Sequence, residues 1–271
     1  MIQSLSFKLN YAKIWNHKTK STLVLGDSMG IVTEARFHLY KDKIFSLPLP
    51  LTDEDLLNSN FLLQKDEKKK LEVYYTPFDY INEKAIVVIL GITPGLNQMK
   101  KAFTAAIENK HLSDEEVLHQ VKKSASFEGT MRQNLITMLD ELELPRYLGI
   151  ASTSELFDAA SHLVYNTSLL PYAVFFNHQN FNGSRPNILK TEMLYSYVKT
   201  YFLNDISRLE NPLIIPLGVN VSKVLDYSYK NNPILKGFPH PSGSNGHRHR
   251  QFRENKKELK RQIENYFLHK R

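Results

Sequence analysis

The sequence predicts an α/β fold, a three-layer sandwich in which helices flank a central four-stranded, mainly parallel sheet. Three observations carry that expectation. Ala85, Ile86, Val87, Val88, Ile89 and Leu90 make an unbroken apolar, largely β-branched run, as a strand buried on both faces requires. Shorter apolar runs at 172–176, 213–217 and 234–238 recur with helix-spaced segments between them, and strands alternating with helices build parallel sheets. These runs pass into polar or glycine-bearing loops, and in open α/β sheets ligands bind beyond the carboxyl ends of the strands. The loops at Thr93, Asn177 and His240, far apart in sequence, are therefore expected to converge on one cleft.

Ahead of that domain, assigned to residues 81–271, residues 1–80 read as an N-terminal extension with a β-hairpin. Leu23, Val24 and Leu25 lead into a glycine-flanked turn at 26–30, and Ile31, Thr33, Ala35, Phe37 and Leu39 then alternate with Val32, Glu34, Arg36, His38 and Tyr40, the period of a half-buried strand. Pro48 and Pro50 end it, Thr52 caps a short helix over 53–63, and the charged run 65–70 reads as a solvated link. After the strand at 85–90, helices are expected over 98–109 and 114–123, the second capped by Ser113 with Glu115 and Glu116 in its first turn. Thr130 caps a further helix in which Met131, Leu135, Met138, Leu139 and Leu142 recur at helical spacing up to Pro145. A short helix at 154–164 precedes the strand at 172–176, and a tyrosine-rich helix over 187–209 separates that strand from the next at 213–217. Gly218 opens a helix to 229, and a basic helix over 247–271 with Phe252, Leu259, Ile263 and Phe267 on one side closes the chain.

Composition narrows the function. The 271 residues are 42% hydrophobic and 23% charged, an ordinary globular balance with no run near the roughly 18 apolar residues a bilayer span needs. The first residues lack the order of a secretory signal, so a cytoplasmic protein is expected. With no cysteine, disulfides, thiolate zinc sites, cysteine nucleophiles and iron–sulfur clusters are excluded together. A net charge of +7 favours an acidic partner such as nucleic acid. No glycine pattern of a dinucleotide or P-loop site follows any strand, and no nucleophile elbow is present.

The richest stretch runs from Gly237 to Arg248. Turn formers preset its backbone, and His240 sits between Pro239 and Pro241. Arg248, Arg250 and Arg253 follow, with His247 and His249 among them. An imidazole on a rigid loop beside a cluster of cations suits a site that meets a polyanion and a polar leaving group together. His247 and His249 lack the nearby acid or cysteine that a metal site would need.

Two motifs in order resemble the uracil-DNA glycosylase superfamily. Gly91, Ile92, Thr93, Pro94 and Gly95 after the first strand resemble its first motif, which reads Gly-x-Asn-Pro-Gly in the single-strand-selective and mismatch-specific branches. His240, Pro241, Ser242, Gly243, Ser244 and Asn245 are similar to its second, His-Pro-Ser-x-x-Asn. The likeness covers roughly residues 80–260. It implies that Asn177 reads the edge of a flipped base, that Phe127 stacks on it beside Gly91 and Ile92, and that His240 stabilises charge on the leaving base. Base–aromatic stacking is worth about 1–3 kcal/mol. Ser242, Ser244, Asn245, His247, Arg248, Arg250 and Arg253 would then meet DNA, with the arginines on phosphates. Each residue also has a plainer role open to it: Asn177 as a turn cap, Phe127 as core with Phe103 in its place, and Arg250 and Arg253 as a solvated helix face.

Thr93 departs from the family, which has Asp or Asn there to position or activate water; a hydroxyl can only orient one. Glu128 and Asp79 are the carboxylates that could substitute. The resemblance therefore implies a monofunctional DNA glycosylase, a base-flipping hydrolase of DNA repair acting on uracil or a modified pyrimidine as a monomer, without metal or cofactor. No lysine within the motifs offers a Schiff-base nucleophile. Two other readings stay open: a glycosylase against hypermodified bases of foreign DNA, serving antiviral defence, and a non-catalytic reader of damaged or modified DNA.

Overall fold

The computed structural model describes residues 36–230 and 233–270. In chain order these form α1 (Phe37–Phe45), β1 (Leu62–Asp66), β2 (Leu71–Tyr74), β3 (Val87–Gly91), α2 (Leu96–Glu108), α3 (Asp114–Ala125), α4 (Thr130–Glu141) and α5 (Leu144–Leu148). There follow β4 (Val164–Ser168), β5 (Ala173–Phe176), β6 (Gln179–Asn180), α6 (Glu192–Tyr197), α7 (Leu203–Ile206), β7 (Leu213–Pro216), α8 (Val219–Ser228) and α9 (Arg248–His269).

The α/β class is as expected, but the strands divide between two sheets. One is parallel, in the order β4-β3-β7; the other is antiparallel, in the order β1-β2-β5-β6. The expected single four-stranded sheet is thus a three-stranded one, and of the segment 234–238 only Ile234 joins it, through one parallel bridge to Ile214. β3 is buried along its whole length, and its side chains alternate between two cores. Val88 and Leu90 face Met99 and Phe103 of α2, Val121 of α3 and Leu225 of α8, whereas Val87 and Ile89 face Leu135 and Leu139 of α4 and Leu259 and Ile263 of α9. Both faces of the parallel sheet are covered, which is why β3 reads as an unbroken apolar run.

The run at 172–176 lies in the other sheet, where Ala173–Phe176 pairs antiparallel with β2. The second strand of the parallel sheet is β4, in part of which the sequence suggested a helix. Val164 and Tyr165 supply the β-forming character, but Asn166, Thr167 and Ser168 break the apolar signal. The first strand and turn of the proposed hairpin, and residues 31–35 of its second strand, lie outside the described residues; the end of that second strand is corrected, since residues 37–45 are helical. Phe37, Tyr40 and Ile44 fall on one helical face, two of them fully buried, whereas Leu39, apolar in the alternating pattern, is 61% exposed. A hairpin does precede β3, but it is β1–β2, and its turn is the charged run read as a link. Thr52 makes its capping bonds with Asp55, yet the segment after it forms turns rather than the expected helix. Ser113 and Glu116 form the reciprocal capping box at α3. The tyrosine-rich helix is interrupted by a π-turn at Val198–Phe202. Among the described residues no helix is long and apolar enough to cross a membrane.

The part of residues 1–80 that is described shares its core with the rest. Phe37, Phe61, Leu71 and Val73 pack in one cluster with Phe103 and Val174.

Candidate functional site

A cleft of about 640 Å³ opens at the carboxyl ends of the parallel strands. Gly91, Ile92 and Thr93 line it from the end of β3, Ser168 from β4, Leu217 and Gly218 from β7, and His240, Ser242, Ser244 and Asn245 from the last loop. Phe127 and Glu128 enter from the turn before α4. The loops of Thr93 and His240 therefore converge, together with Phe127.

Close backbone approach explains two glycines. A side chain on Gly91 would bring its Cβ within 3.1 Å of the Phe127 ring, so the bare backbone lets that ring lie against the strand end. Gly218, at φ +88°, would place a Cβ 2.9 Å from the His240 Cβ; only glycine fits both the backbone and the neighbour. Phe127 itself holds a left-handed φ of 52°, a strained value for a bulky residue. Arg132 keeps the turn in place, donating from Nε and Nη2 to the Ser126 carbonyl at 2.9 and 2.6 Å. Phe103, the substitute aromatic, is fully buried against Phe61 and outside the cleft.

The His240 loop is held from several sides. Asn245 Nδ2 donates to the carbonyl of His240 at 3.1 Å, Asn134 Nδ2 of α4 to that of Pro241 at 2.9 Å, and Arg248 Nη1 to that of Ser242 at 2.8 Å. The Ser242 N–H donates to His240 Nδ1 at 3.2 Å. With Nδ1 accepting, the neutral ring carries its proton on Nε2. Burial lowers the His240 pKa from its ordinary value and so favours the neutral ring.

Thr93 has a different part from the one its position suggested. Its hydroxyl donates to the Tyr172 carbonyl at 2.8 Å and accepts from the Val174 N–H at 3.1 Å. Both partners flank the start of β5, so Thr93 pins the antiparallel sheet to the end of β3. Asp79 is also engaged elsewhere, taking hydrogen bonds from Tyr75 at 2.5 Å and Tyr172 at 3.0 Å, and burial pushes its pKa up to about 6. Glu128 is the one carboxylate lining the cleft among the described residues.

Asn177 does not reach the cleft. It occupies the exposed turn after β5 at φ 49°, its N–H donating to the Lys70 carbonyl at 3.0 Å. An asparagine does stand in a parallel strand: Asn166, in the middle of β4 and 8% exposed, has an Oδ1 that is a buried acceptor with no hydrogen-bond partner. The criterion that selected Asn177, an apolar strand ending in asparagine, would also have found Asn166 after Val164 and Tyr165. Asn180 lies on the cleft as well, but its Oδ1 is occupied by the Leu96 N–H at 2.8 Å, capping α2. Arg248 is spent on the loop carbonyls, whereas His247, Arg250 and Arg253 are exposed around the start of α9. No group of histidines and carboxylates able to hold a metal occurs among the described residues.

Over 245 residues the chain is 38% identical to the uncharacterized protein YoxB of Bacillus subtilis, covering 87% of this chain and 95% of that one. No protein-family model matches it. No solved structure matches it either.

Proposed function

The chain belongs to the family of the Bacillus subtilis protein YoxB, and from its cleft we propose that it is a DNA glycosylase, releasing a flipped base by hydrolysis of the N-glycosidic bond. The observation that carries this reading is the convergence of Gly91–Thr93, Phe127 and a neutral, Nε2-protonated His240 at one strand edge. Ile234, bridged to Ile214, is read as the fourth position of a parallel sheet, completing the sandwich expected of the resemblance.

The base would enter the cleft and stack on Phe127, with Asn166 of the adjoining recess, rather than Asn177, reading its edge. When the bond between C1′ and the base nitrogen breaks, its electron pair goes to the base and leaves an oxocarbenium-like sugar. His240 donates from Nε2 to the base carbonyl where the charge gathers, and keeps its proton. A water adds to C1′, and Glu128, the carboxylate lining the cleft, accepts the proton it releases. Arg250 and Arg253, exposed at the start of α9, supply phosphate contacts.

A second reading has its own support. The Thr93 hydroxyl is committed to β5, so the first motif offers no side chain to activate water, as in a protein that flips and binds a base without releasing it. Incubation with oligonucleotides carrying uracil, hypoxanthine or modified pyrimidines, followed by alkali, separates the two. Strand scission after alkali supports hydrolysis; tight binding with no abasic site refutes it and favours the reader.

A further inference from the structure

Adjoining the cleft is a recess of about 20 Å³, room for one water-sized group. It shares Phe127, Gln98 and Ser168 with the cleft, and Phe78, Lys122 and Asn166 also line it. Lys122 is only 7% exposed, and its Nζ donates to the Asn166 carbonyl at 2.9 Å. The ammonium lies 5.1 Å from the centre of the Phe78 ring and 5.3 Å from that of Tyr165. Buried lysines are ordinarily paired with a carboxylate. Here Asp79 is held by Tyr75 and Tyr172 and Asp205 by Tyr165, and neither makes an ion pair with Lys122. An ammonium has three donors, and one is used on Asn166. Asn166, which also lines the recess, has a buried Oδ1 with no hydrogen-bond partner.

We propose that Lys122 is the specificity-determining residue of the cleft: its ammonium admits a base that turns a carbonyl oxygen into the recess and rejects one that turns an amino group there. The inference rests on the glycosylase reading in taking the ligand to be a base. The recess has the size of an exocyclic oxygen, not of a ring, so the ring stays in the cleft on Phe127 and only its edge is tested. A keto base places C=O and N–H side by side, meeting the Lys122 donor and the Asn166 acceptor together. Cytosine or adenine would bring an N–H donor against the cation and leave both buried groups unmatched. Sites built around such a match reject the unmatched analogue strongly. Burial lowers the Lys122 pKa to about 8, so the ammonium form prevails at neutral pH.

The test uses the full chain and free uracil and cytosine as probes, with binding followed by broadening of the base protons in NMR. Base release from oligonucleotides is measured in parallel. The wild-type protein should prefer uracil by at least about tenfold, as a lost buried polar match implies. Lys122→Met, similar in shape and uncharged, should bring the two affinities within about twofold while keeping the thermal melt. If that variant does not fold, Lys122→Gln, which can accept as well as donate, should likewise lose the preference. A preference unchanged in the folded variant, or a wild-type protein that prefers neither base or binds neither, overturns the inference. Base release with unchanged selectivity overturns Lys122 alone and leaves the glycosylase; selectivity lost in the variant, with no release from any DNA, overturns hydrolysis alone.

Discussion

Replacing Thr93 by valine keeps the shape of the side chain and removes the hydroxyl that joins the two sheets. Two hydrogen bonds go with it, the 2.8 Å bond to the Tyr172 carbonyl and the 3.1 Å bond from the Val174 N–H, and both backbone groups lose this partner. At about 1 kcal/mol for each bond, the loss is about 2 kcal/mol. For a chain of this size that lowers the melting temperature by about 4–8 °C. Thr93→Ser retains the hydroxyl and should recover most of the difference. The assay is thermal unfolding of the three proteins followed by circular dichroism, with base release measured well below the transition. Release should track the folded fraction in all three. A Thr93→Val protein that melts with the wild type yet has lost base release would refute the sheet-pinning argument and return the hydroxyl to the attacking water.

Burial lowers the pKa of folded His240 from its ordinary 6.5, so its contribution to stability is present above that pH and declines as acid protonates the unfolded chain first. Base release should accordingly show an acid limb with its midpoint below 6.5, and His240→Asn should remove the limb and slow the wild-type plateau rate by about 10²–10³-fold, read in single-turnover assays. Gly218→Ala combines the strained φ of +88° with a Cβ 2.9 Å from that of His240, and should cost about 1–3 kcal/mol in denaturant unfolding while displacing the imidazole and depressing release beyond the loss of fold. Arg250→Ala and Arg253→Ala should each reduce the salt slope of DNA binding by about 0.9 without moving the melt, as seen by fluorescence anisotropy; an unchanged slope would place both on a solvated face.

The elements legible in the sequence were those whose burial is uniform or whose ends are chemically marked. β3 is apolar along its length because both faces meet a core, and α3 is announced by its Ser113–Glu116 box. α9 shows its apolar stripe at Phe252, Leu259 and Ile263. What misled were patterns with two periods in them. Phe37, Tyr40 and Ile44 satisfy a helix as well as Phe37 and Leu39 satisfy a strand, and only tertiary packing chooses. β4 escaped because its polar residues stand at the strand end where the cleft begins, so the feature that puts Asn166 in the recess also hid the strand. The Thr93 and His240 loops were found through turn chemistry, which is local. The hydrogen bonds that divert Thr93 to β5, and the burial of Lys122 at the recess, depend on partners 44 and more residues away and leave no local mark.

That reliance on distant partners reaches further than the cleft. Tyr172 and Val174 can restrain Thr93 only while β5 is steady, and β5 borders β2, the second arm of a hairpin formed before the first motif begins. Part of the segment read in sequence as an N-terminal extension is therefore a buttress two strands removed from the edge of the cleft. A nick or insertion near Lys69, on the surface, would be transmitted through that pairing to Thr93 at the edge of the cleft.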